Sequence, residues 1–423
     1  MWCRWKSCAP REITSCRNIL GISETVLLRI LNDLLTFLDN DKTAVLILLD
    51  LSAAFDTIDH EILLSRLKNS FGIQNSALSW FRSYLSERKQ SVFINGIKSS
   101  EQPLVFGVPQ GSVLGPVLFV LYTSPLTHVI DSHSVRHEMY ADDTQLIHSI
   151  TPASYDDLTL SLQDCVTEVK TWMSNNRLKL NDDKTEALRT SPSSADLSSL
   201  PSSITVGNTA IPFSPCVRDL GFFLDQALSM KQHITRTCQI AYAELRRISS
   251  IRQYLTVDAT KTLVSACILS RLDYCNSLLV GCPDKNIKPL QQVQNSAARL
   301  IFKSRKSEHI TPLLQKLHWL PVEQRIKYKI SCVCFHIITD TAPTYLSELL
   351  SIYVPSRSLR SSADDRMFRV PTYNRQSHGG RAFSFSAVQT WNSLPHSVRH
   401  SPTLSSFKSN LKTHLFTLAF SAQ

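Results

Sequence analysis

The sequence of 423 residues contains no apolar run that approaches the ~18 residues of a membrane span. The apolar run 45–49 stops at Asp50, and the run 117–122 stops at a Thr-Ser-Pro turn. The N-terminal segment lacks the apolar core that a secretory signal peptide needs. We therefore expect a soluble, intracellular protein without a membrane partner, and the nucleus is one candidate compartment.

Paired cysteines are also missing. The 11 cysteines include no CxxC pair, and Cys332 and Cys334 are too close together for the usual spacing of zinc ligands. We interpret the cysteines as free thiols, which behave as small hydrophobic residues when buried. The sequence therefore predicts no metal site built from cysteine.

Charge is unevenly distributed along the chain, whose net charge is +10. Residues 1–226 contain 19 Lys and Arg against 25 Asp and Glu, a balance of −6. Residues 227–423 contain 26 against 10, a balance of +16. A basic half of this size indicates a polyanionic partner, most often nucleic acid, although a solubilising surface has the same composition. The acidic half is the one suited to gather cations.

Hydrophobic periodicity predicts an α+β fold. A helix over 23–39 precedes a continuous apolar strand over 44–51, which is typical of a strand buried on both faces. Strands over 135–140 and 144–148 flank Asp142 and Asp143 as a hairpin. Further helices are predicted at 59–70, 75–86, 112–122 and 154–175, a Ser/Pro-rich loop at 191–203, and short strands at 91–94, 103–106, 204–206, 210–213 and 217–224. This order predicts a ferredoxin-like split βαβ sheet with flanking helices.

The remainder of the sequence predicts helices and a polar tail. The helices are expected at 229–253, 257–271, 286–303 and 322–338. From about residue 355 the sequence is polar and rich in Ser and Arg, with weak periodicity until a helix over 403–419. We expect this C-terminal part to be loosely packed.

Three aspartates are candidate metal ligands. Asp50 ends the apolar strand, and Asp142 and Asp143 lie at the tip of the hairpin. Taken singly, Asp50 could be a strand-end residue, and two adjacent Asp residues commonly form a turn. If the strand pairs beside the hairpin, however, three like charges converge, and they raise one another's pKa unless a divalent cation neutralises them. Oxygen ligands alone suit Mg²⁺ or Mn²⁺.

Five ordered segments resemble the successive sequence blocks of reverse transcriptases. They are LLDLSAAFD (48–56), GVPQGSVLGPVLF (107–119), YADD (140–143), NRLKLNDDKTE (176–186) and RDLGFFLD (218–225). The phrases FDTIDH, GVPQGSVLGP and SRLDYCNSLLVG are similar to those of non-LTR (LINE-like) retrotransposon polymerases of animal genomes. YADD alone is a weak motif, whereas five blocks in order are specific. The similarity covers about residues 22–420.

The resemblance implies a right-hand polymerase palm and gives roles to particular residues. Asp50, Asp142 and Asp143 would bind two Mg²⁺ ions, with Mn²⁺ as a substitute, and such a pair activates a 3′-hydroxyl and stabilises pyrophosphate. Phe55 would be the steric gate that excludes a ribose 2′-hydroxyl, although the residue pattern alone favours a core aromatic. Lys184 would protonate the leaving pyrophosphate, although a lysine in this context is often a solvated turn charge.

Two pairs of residues would position the substrates. Gln110 and Gly111 match the loop that packs on the incoming nucleotide, and a simple turn before a helix is the alternative. Leu220 and Gly221 match the hairpin that grips the primer end, and a strand interrupted by a bulge is the alternative. Asp59 is expected to be a helix N-cap.

The resemblance also suggests how the chain is divided. We expect an unplaced segment at 1–21, a palm with partial fingers at 22–226, an α-helical thumb-like domain at 227–350 and a basic C-terminal extension at 351–423. We recognise no complete fingers segment, endonuclease, CCHC knuckle or ribonuclease H carboxylate set, and we therefore expect the reading frame of a truncated element.

Three functions stay open at this stage. The first is an RNA-directed DNA polymerase whose partners are an RNA template, a DNA primer and dNTPs. The second is an inactive nucleic-acid-binding remnant, and the third is an RNA-dependent RNA polymerase, which Phe55 argues against. We expect the basic half to contact duplex phosphates. Its candidate contacts are Arg236, Arg246, Arg247, Arg252, Arg299, Lys303, Arg305 and Lys306.

Overall fold

The computed structural model describes residues 22–150, 155–192, 202–206, 209–354 and 366–420. Contacts divide the chain into two compact units. Most of the first unit consists of Lys42–Arg189 and Ser193–Ser214, and most of the second consists of Thr14–Asp41 and Pro215–Gln423. Much of the predicted loop over 191–203 lies outside the described residues.

The first unit is built on a four-stranded sheet. Its strands are β1 (Thr43–Leu49), β2 (Arg136–Tyr140), β3 (Asp143–Ile150) and β4 (Glu186–Thr190). Their spatial order is β4-β1-β3-β2, and β1 and β2 both run antiparallel to β3. This is the order of a split βαβ, ferredoxin-like sheet, so the predicted α+β fold class is confirmed.

Helices and short strands complete the first unit. The helices are His60–Asn69, Asn75–Leu85, Gly115–Thr123, Leu126–Asp131 and Tyr155–Asn175. The short strands are Leu51–Ser52, Lys89–Gln90, Phe93–Ile94, Ile97–Lys98, Gln102–Pro103, Lys179–Leu180, Ser203–Val206 and Thr209–Pro212. Side chains of β1 and of the helices, such as Ile47, Phe119, Tyr122 and Val169, are fully buried in one core. The core therefore lies between the sheet and its helices.

The second unit is mostly helical. Its helices are Ile22–Asp39, Lys231–Ile251, Val257–Val264, Ser270–Asp273, Asp284–Phe302, Thr311–Lys316, Val322–Ile338, Thr344–Ser347, Phe383–Asn392, His396–Arg399 and Leu404–Phe420, with a π-helical turn at Ser265–Leu269. A hairpin of β5 (Cys216–Asp219) and β6 (Phe222–Asp225) belongs to the same unit. The predicted single strand over 217–224 is therefore wrong, because the chain reverses at Leu220 and Gly221.

The first helix, Ile22–Asp39, groups with the second unit, although the expected palm began at residue 22. Two acidic residues show why. Glu24 is 5% exposed and forms an ion pair with Lys329 at 2.6 Å. The Asp39 carboxylate accepts hydrogen bonds from the backbone N–H groups of Asn374 and Gly379. These contacts tie both ends of the helix to later parts of the second unit.

The C-terminal segment is well packed over its described residues 366–420. Trp391 and Phe407 are fully buried, and their rings lie 5.6 Å apart between centroids. Phe407 also stacks on Phe335 at 4.5 Å, and the indole N–H of Trp391 donates to the carbonyl of Arg366 at 2.7 Å. The expectation of loose packing is therefore wrong. Its buried residues come from short, separated segments, which leave little periodicity in the sequence.

In the part of the chain that the structure describes, no helix combines the length and apolar character needed to cross a membrane.

Candidate active site

Asp50 follows the last residue of β1 and lies where a second chain segment joins the strand. The backbone N–H of Asn181 donates to the Asp50 carbonyl at 2.9 Å, and Leu51 pairs with Leu180. This pairing carries the 3₁₀ turn Asp182–Lys184 to the end of β1. Sequence blocks that lie more than 120 residues apart are thereby brought together, as their order in the resemblance implied.

Lys184 forms an ion pair with Asp50. Its Nζ lies 3.2 Å from Asp50 Oδ2, with the lysine side chain 67% exposed and the aspartate side chain 27% exposed. The same Oδ2 atom is buried and has no hydrogen-bond partner in the described residues. The contact is therefore an ion pair that lacks hydrogen-bond geometry. It leaves a buried carboxylate oxygen with unused capacity to accept a further cation.

The register of the sheet brings Asp50 towards the hairpin tip. Tyr140 pairs with Asp143 across the turn, and Ala141 at the turn has a left-handed φ of 55°. Leu49 pairs with Thr144, so the same register continued by one residue places Asp50 opposite Asp143. The antiparallel pairing of β1 with β3 thus unites the two carboxylate motifs predicted from the sequence.

The three carboxylates lie close enough to affect one another's ionisation. Burial, followed by the charges of Asp142 and Asp50, raises the pKa of Asp143 to about 6. In the described ranges, no three His, Cys, Asp or Glu side chains already surround one point as a metal site. The residues fit a hard divalent cation, because all donors are oxygens and Asp50 Oδ2 is unpartnered. The carboxylates would have to draw closer around it.

The Gly-Val-Pro-Gln-Gly loop docks against the segment that follows Asp50. The backbone N–H of Val108 donates to the Phe55 carbonyl at 2.9 Å, and Gln110 Nε2 donates to Asp56 Oδ1 at 2.9 Å. Gly107 has a φ of 81°, and a Cβ there would lie 3.0 Å from the Asp56 backbone, so only glycine fits. Gly111 has a φ of 77° and open space around it, which leaves its backbone accessible to a ligand.

Two polar residues hold this loop in a way that the sequence did not reveal. His60 Nε2 and Arg88 Nη1 each lie 2.8 Å from the Gly107 carbonyl oxygen. Asp59 Oδ1 accepts the backbone N–H groups of Glu61 and Ile62, which confirms its prediction as a helix N-cap. Hydrogen bonds to the loop and to the start of the following helix therefore hold the segment 55–60 in place.

Phe55 lies between the loop and the core. Its ring centroid is 5.0 Å from that of Phe119, at an interplanar angle of 36°. Phe119 is fully buried, whereas Phe55 is only partly buried and packs at the edge of the core. The ring thus has one face anchored by packing while part of it stays accessible. The packing on Phe119 fits a residue at the edge of the core, and the gate role stays a prediction.

The second unit contains the turn Leu220–Gly221. Both residues have left-handed φ values, 43° and 83°, as a two-residue type I′ hairpin turn requires. The hydroxyl of Tyr274 donates to the Leu220 carbonyl, and a Cβ on Gly221 would lie 3.4 Å from that hydroxyl oxygen. Tyr274 therefore fixes the turn. It lies in the SRLDYCNSLLVG phrase, but nothing in the sequence indicates this contact.

The basic residues expected to bind phosphates do not all face solvent. Arg252 is 7% exposed, and its guanidinium donates to the carbonyls of Leu300 and Ile301 at the end of helix Asp284–Phe302. It satisfies helix C-terminal carbonyls, so its prediction as a phosphate contact is wrong. Arg247 is exposed but pairs with Glu244 at 2.9 Å.

Comparison with known proteins agrees with the geometry. A family model described as "Reverse transcriptase (RNA-dependent DNA polymerase)" matches residues 11–222. The chain belongs to the reverse transcriptase family. Reverse transcriptases generally depend on divalent metal ions, which is consistent with the oxygen-only donor set of this chain.

Relatives of this reverse transcriptase occur in mobile elements. The RNA-directed DNA polymerase from mobile element jockey of Drosophila melanogaster is 33% identical over 233 residues, covering 52% of this chain and 24% of that protein. The probable RNA-directed DNA polymerase from transposon BS of the same species is 26% identical over 340 residues, covering 78% and 36%. These are non-LTR, LINE-like elements, so the narrower resemblance is confirmed. The chain spans only about a quarter to a third of these relatives' length.

Among solved structures, apo telomerase from Candida Tropicalis is similar over 76% of this chain and 54% of its own, at 12% identity and a TM-score of 0.39.

The raised pKa of Asp143 predicts how stability depends on pH. Its folded pKa of about 6 exceeds the unfolded value, so the folded state binds more protons between about pH 4 and pH 6. Stability should therefore fall as pH rises through this window, and the penalty should be fully present above it. Asp143→Asn should then stabilise the protein at pH 8, on the order of 1 kcal/mol after allowance for solvent screening.

Urea unfolding of both proteins at pH 4.5 and pH 8 measures this difference. Asp183→Asn, which removes an exposed carboxylate of the same unit, is the matched control and should change stability little at either pH. An Asp143→Asn protein that is less stable than the parent at pH 8 would show that Asp143 has a structural partner instead.

Proposed function

We propose that the chain is an RNA-directed DNA polymerase of a non-LTR retroelement, which extends a primer 3′-hydroxyl with dNTPs. The observation that carries the proposal is the register of β1 on β3, which brings Asp50 opposite Asp143 at a sheet edge. The raised pKa of Asp143 in the field of Asp142 and Asp50 supports it. A purely structural strand end would gain nothing from three interacting carboxylates.

The carboxylates of Asp50, Asp142 and Asp143 would hold two Mg²⁺ ions, or Mn²⁺ in their place. Bound there, the ions would supply activation of the 3′-hydroxyl and neutralisation of the pyrophosphate charge. The residues of the chain do the remaining work. Lys184 would give a proton to the leaving pyrophosphate oxygen, and its exposed position 3.2 Å from Asp50 supports this role. In the absence of ligands it balances part of the carboxylate charge.

The substrates would be positioned by the loop and the hairpin already described. The open backbone at Gly111 suits close approach of a nucleotide, and Gln110 is held in place by Asp56. The Leu220–Gly221 turn, fixed by Tyr274, would bear on the primer end. An RNA template and a DNA primer are therefore the proposed partners.

A second function is favoured by the charge balance of +16 over residues 227–423, which requires no catalysis to be useful. An inactive, nucleic-acid-binding remnant would retain the basic helical unit and the palm fold without synthesis. It predicts nucleic-acid binding that is indifferent to the catalytic aspartates.

Primer extension on an RNA template separates these functions. With dNTPs and Mg²⁺, the chain should extend a DNA primer, and Asp50→Ala or Asp142→Asn should reduce the rate by at least about a thousandfold, because each removes charge that holds the metals. Folding should be intact, since removing one like charge relieves repulsion. Asp131→Asn, whose side chain is 64% exposed, should synthesise DNA at the parental rate.

No synthesis by the parent protein, with template binding retained, would favour the inactive remnant. Synthesis by the parent and by both aspartate variants alike would remove these residues from the active site. Preferential use of ribonucleotides on the same template would favour an RNA polymerase.

The position of Phe55 predicts an effect on sugar selectivity. Phe55→Val should admit ribonucleotides while dNTP use persists, because the accessible part of the ring would lie beneath the sugar 2′ position. Phe71→Val, another partly buried phenylalanine packed against the same core, is the matched control and should keep the parental selectivity. The measurement is the ratio of ribonucleotide to dNTP incorporation. An unchanged ratio in a folded Phe55→Val protein would leave Phe55 as a core residue only.

A further inference from the structure

The Gly-Val-Pro-Gln-Gly loop is fastened to the segment that carries Phe55 by hydrogen bonds at consecutive backbone positions. The N–H of Gly107 donates to the Ile58 carbonyl at 2.8 Å, and the N–H of Val108 donates to the Phe55 carbonyl at 2.9 Å. The loop and this segment are therefore joined along their backbones. Contacts that hold Gly107 in place also set where Phe55 lies relative to the loop.

The two side chains that contact the Gly107 carbonyl oxygen come from elements outside the loop. His60 is the first residue of helix His60–Asn69. Its Nε2 lies 2.8 Å from this oxygen, and because a carbonyl oxygen can only accept, Nε2 carries the proton. Arg88 Nη1 donates to the same oxygen at 2.8 Å, and the Arg88 carbonyl accepts the N–H of Leu104 at 2.8 Å. Two separately anchored side chains thus converge on one oxygen.

The two donors fill both acceptor positions of this oxygen. Gly107 is buried, and a carbonyl oxygen has two lone pairs. Among the residues that the structure describes, no carboxylate pairs with Arg88, so its guanidinium is available to the loop. Losing one donor leaves the oxygen with the other, whereas losing both leaves a buried acceptor without a partner. The effects of the two side chains should therefore not be independent.

We propose that His60 and Arg88 are positioning residues for sugar selection, which hold the loop against the Phe55 segment and so fix the place of the Phe55 ring. The inference rests on the proposed polymerase function, in which that ring excludes a 2′-hydroxyl. Packing on Phe119 restrains one side of the ring, and the hydrogen bonds to the loop restrain the backbone that carries it. Such a gate works only if it is held to within about 0.5 Å, because a loop that shifts would make room for the hydroxyl.

The test measures nucleotide affinity of the full chain on an RNA template whose DNA primer ends in a dideoxynucleotide, so that no synthesis takes place. Dissociation constants for the complementary dNTP and for the matching ribonucleotide give the selectivity. His60→Ala and Arg88→Ala should each lower selectivity by about two- to threefold, and the double variant by at least about twentyfold, because only the double variant leaves the buried carbonyl without a donor. The combined loss should thus exceed the product of the single losses.

Conservative variants separate hydrogen bonding from other roles of these side chains. His60→Gln and Arg88→Lys each keep an N–H donor on a side chain of similar length, so the protein with both changes should keep most of the parental selectivity. Arg82→Ala is the matched control, because it removes an exposed arginine that pairs with Glu61 rather than with the loop. Its selectivity should equal that of the parent.

Backbone hydrogen exchange reports on the loop without nucleic acid. The N–H of Val108 should exchange faster in the double alanine variant, because its hydrogen bond to the Phe55 carbonyl opens more often. The amides of β1 and β3 should keep their parental rates, which would show that the sheet is folded. If these amides also lose protection, the two single variants decide, and parental selectivity in both would overturn the proposal.

Two further results would overturn the proposal. One is parental selectivity in a folded double alanine variant. The other is a loss of selectivity that His60→Gln with Arg88→Lys fails to restore, which would mean that donation to the Gly107 carbonyl is not what matters. Failure of the polymerase function is distinguishable, because the parent chain would then bind neither nucleotide on the primed template. In that case both inferences would fall together, whereas unchanged selectivity in a nucleotide-binding chain would remove this one alone.

Discussion

The antiparallel pairing of β1 with β3 is the constraint on which the candidate active site depends. Seven consecutive residue pairs, from Thr43 with Ile150 to Leu49 with Thr144, fix the register. A slip of one residue would turn Val45 and Ile47 from one face of the sheet to the other and would separate Asp50 from the hairpin tip. Burial of each such side chain contributes about 1.5–3 kcal/mol, so packing holds the register firmly.

That same register imposes a local electrostatic cost. Asp143 is partly buried beside Asp142 and Asp50, and burial together with these two negative charges raises its pKa. Lys184 offsets part of the charge from an exposed position, without forming a hydrogen bond to Asp50. A site that is unfavourable when empty and favourable when a cation binds is typical of catalytic centres, where local stability is given up for function.

The sequence predicted the sheet well because its signals were local and strong. A short stretch of sequence was enough to predict the apolar strand before Asp50, and another was enough to predict the hairpin around Asp142. The order of the sequence blocks then implied that the strand and the hairpin lie side by side. The N-cap at Asp59 was equally local. In the structure Lys184 pairs with Asp50, and the charges of Asp50 and Asp142 act on Asp143, whereas the catalytic roles of these residues stay a prediction.

The second unit resisted prediction for physical reasons. Helix Ile22–Asp39 is buried on most sides, so its sequence does not specify which part of the chain covers it. Arg236 and Arg252 are both arginines of one predicted helix, yet one lines an open pocket and the other is buried against carbonyls. Tertiary contacts alone distinguish them. Tyr274 likewise acquires its role only when it meets the Leu220 carbonyl, 54 residues away.

The central claim is that the edge formed by β1 and the hairpin is a divalent-cation site. Titration of the full chain with Mn²⁺, followed by electron paramagnetic resonance, tests this without nucleic acid or synthesis. The account predicts saturable binding of about two ions, with affinity at least tenfold weaker in Asp50→Ala and unchanged in Asp183→Asn. Equal Mn²⁺ binding by the parent and Asp50→Ala would contradict it.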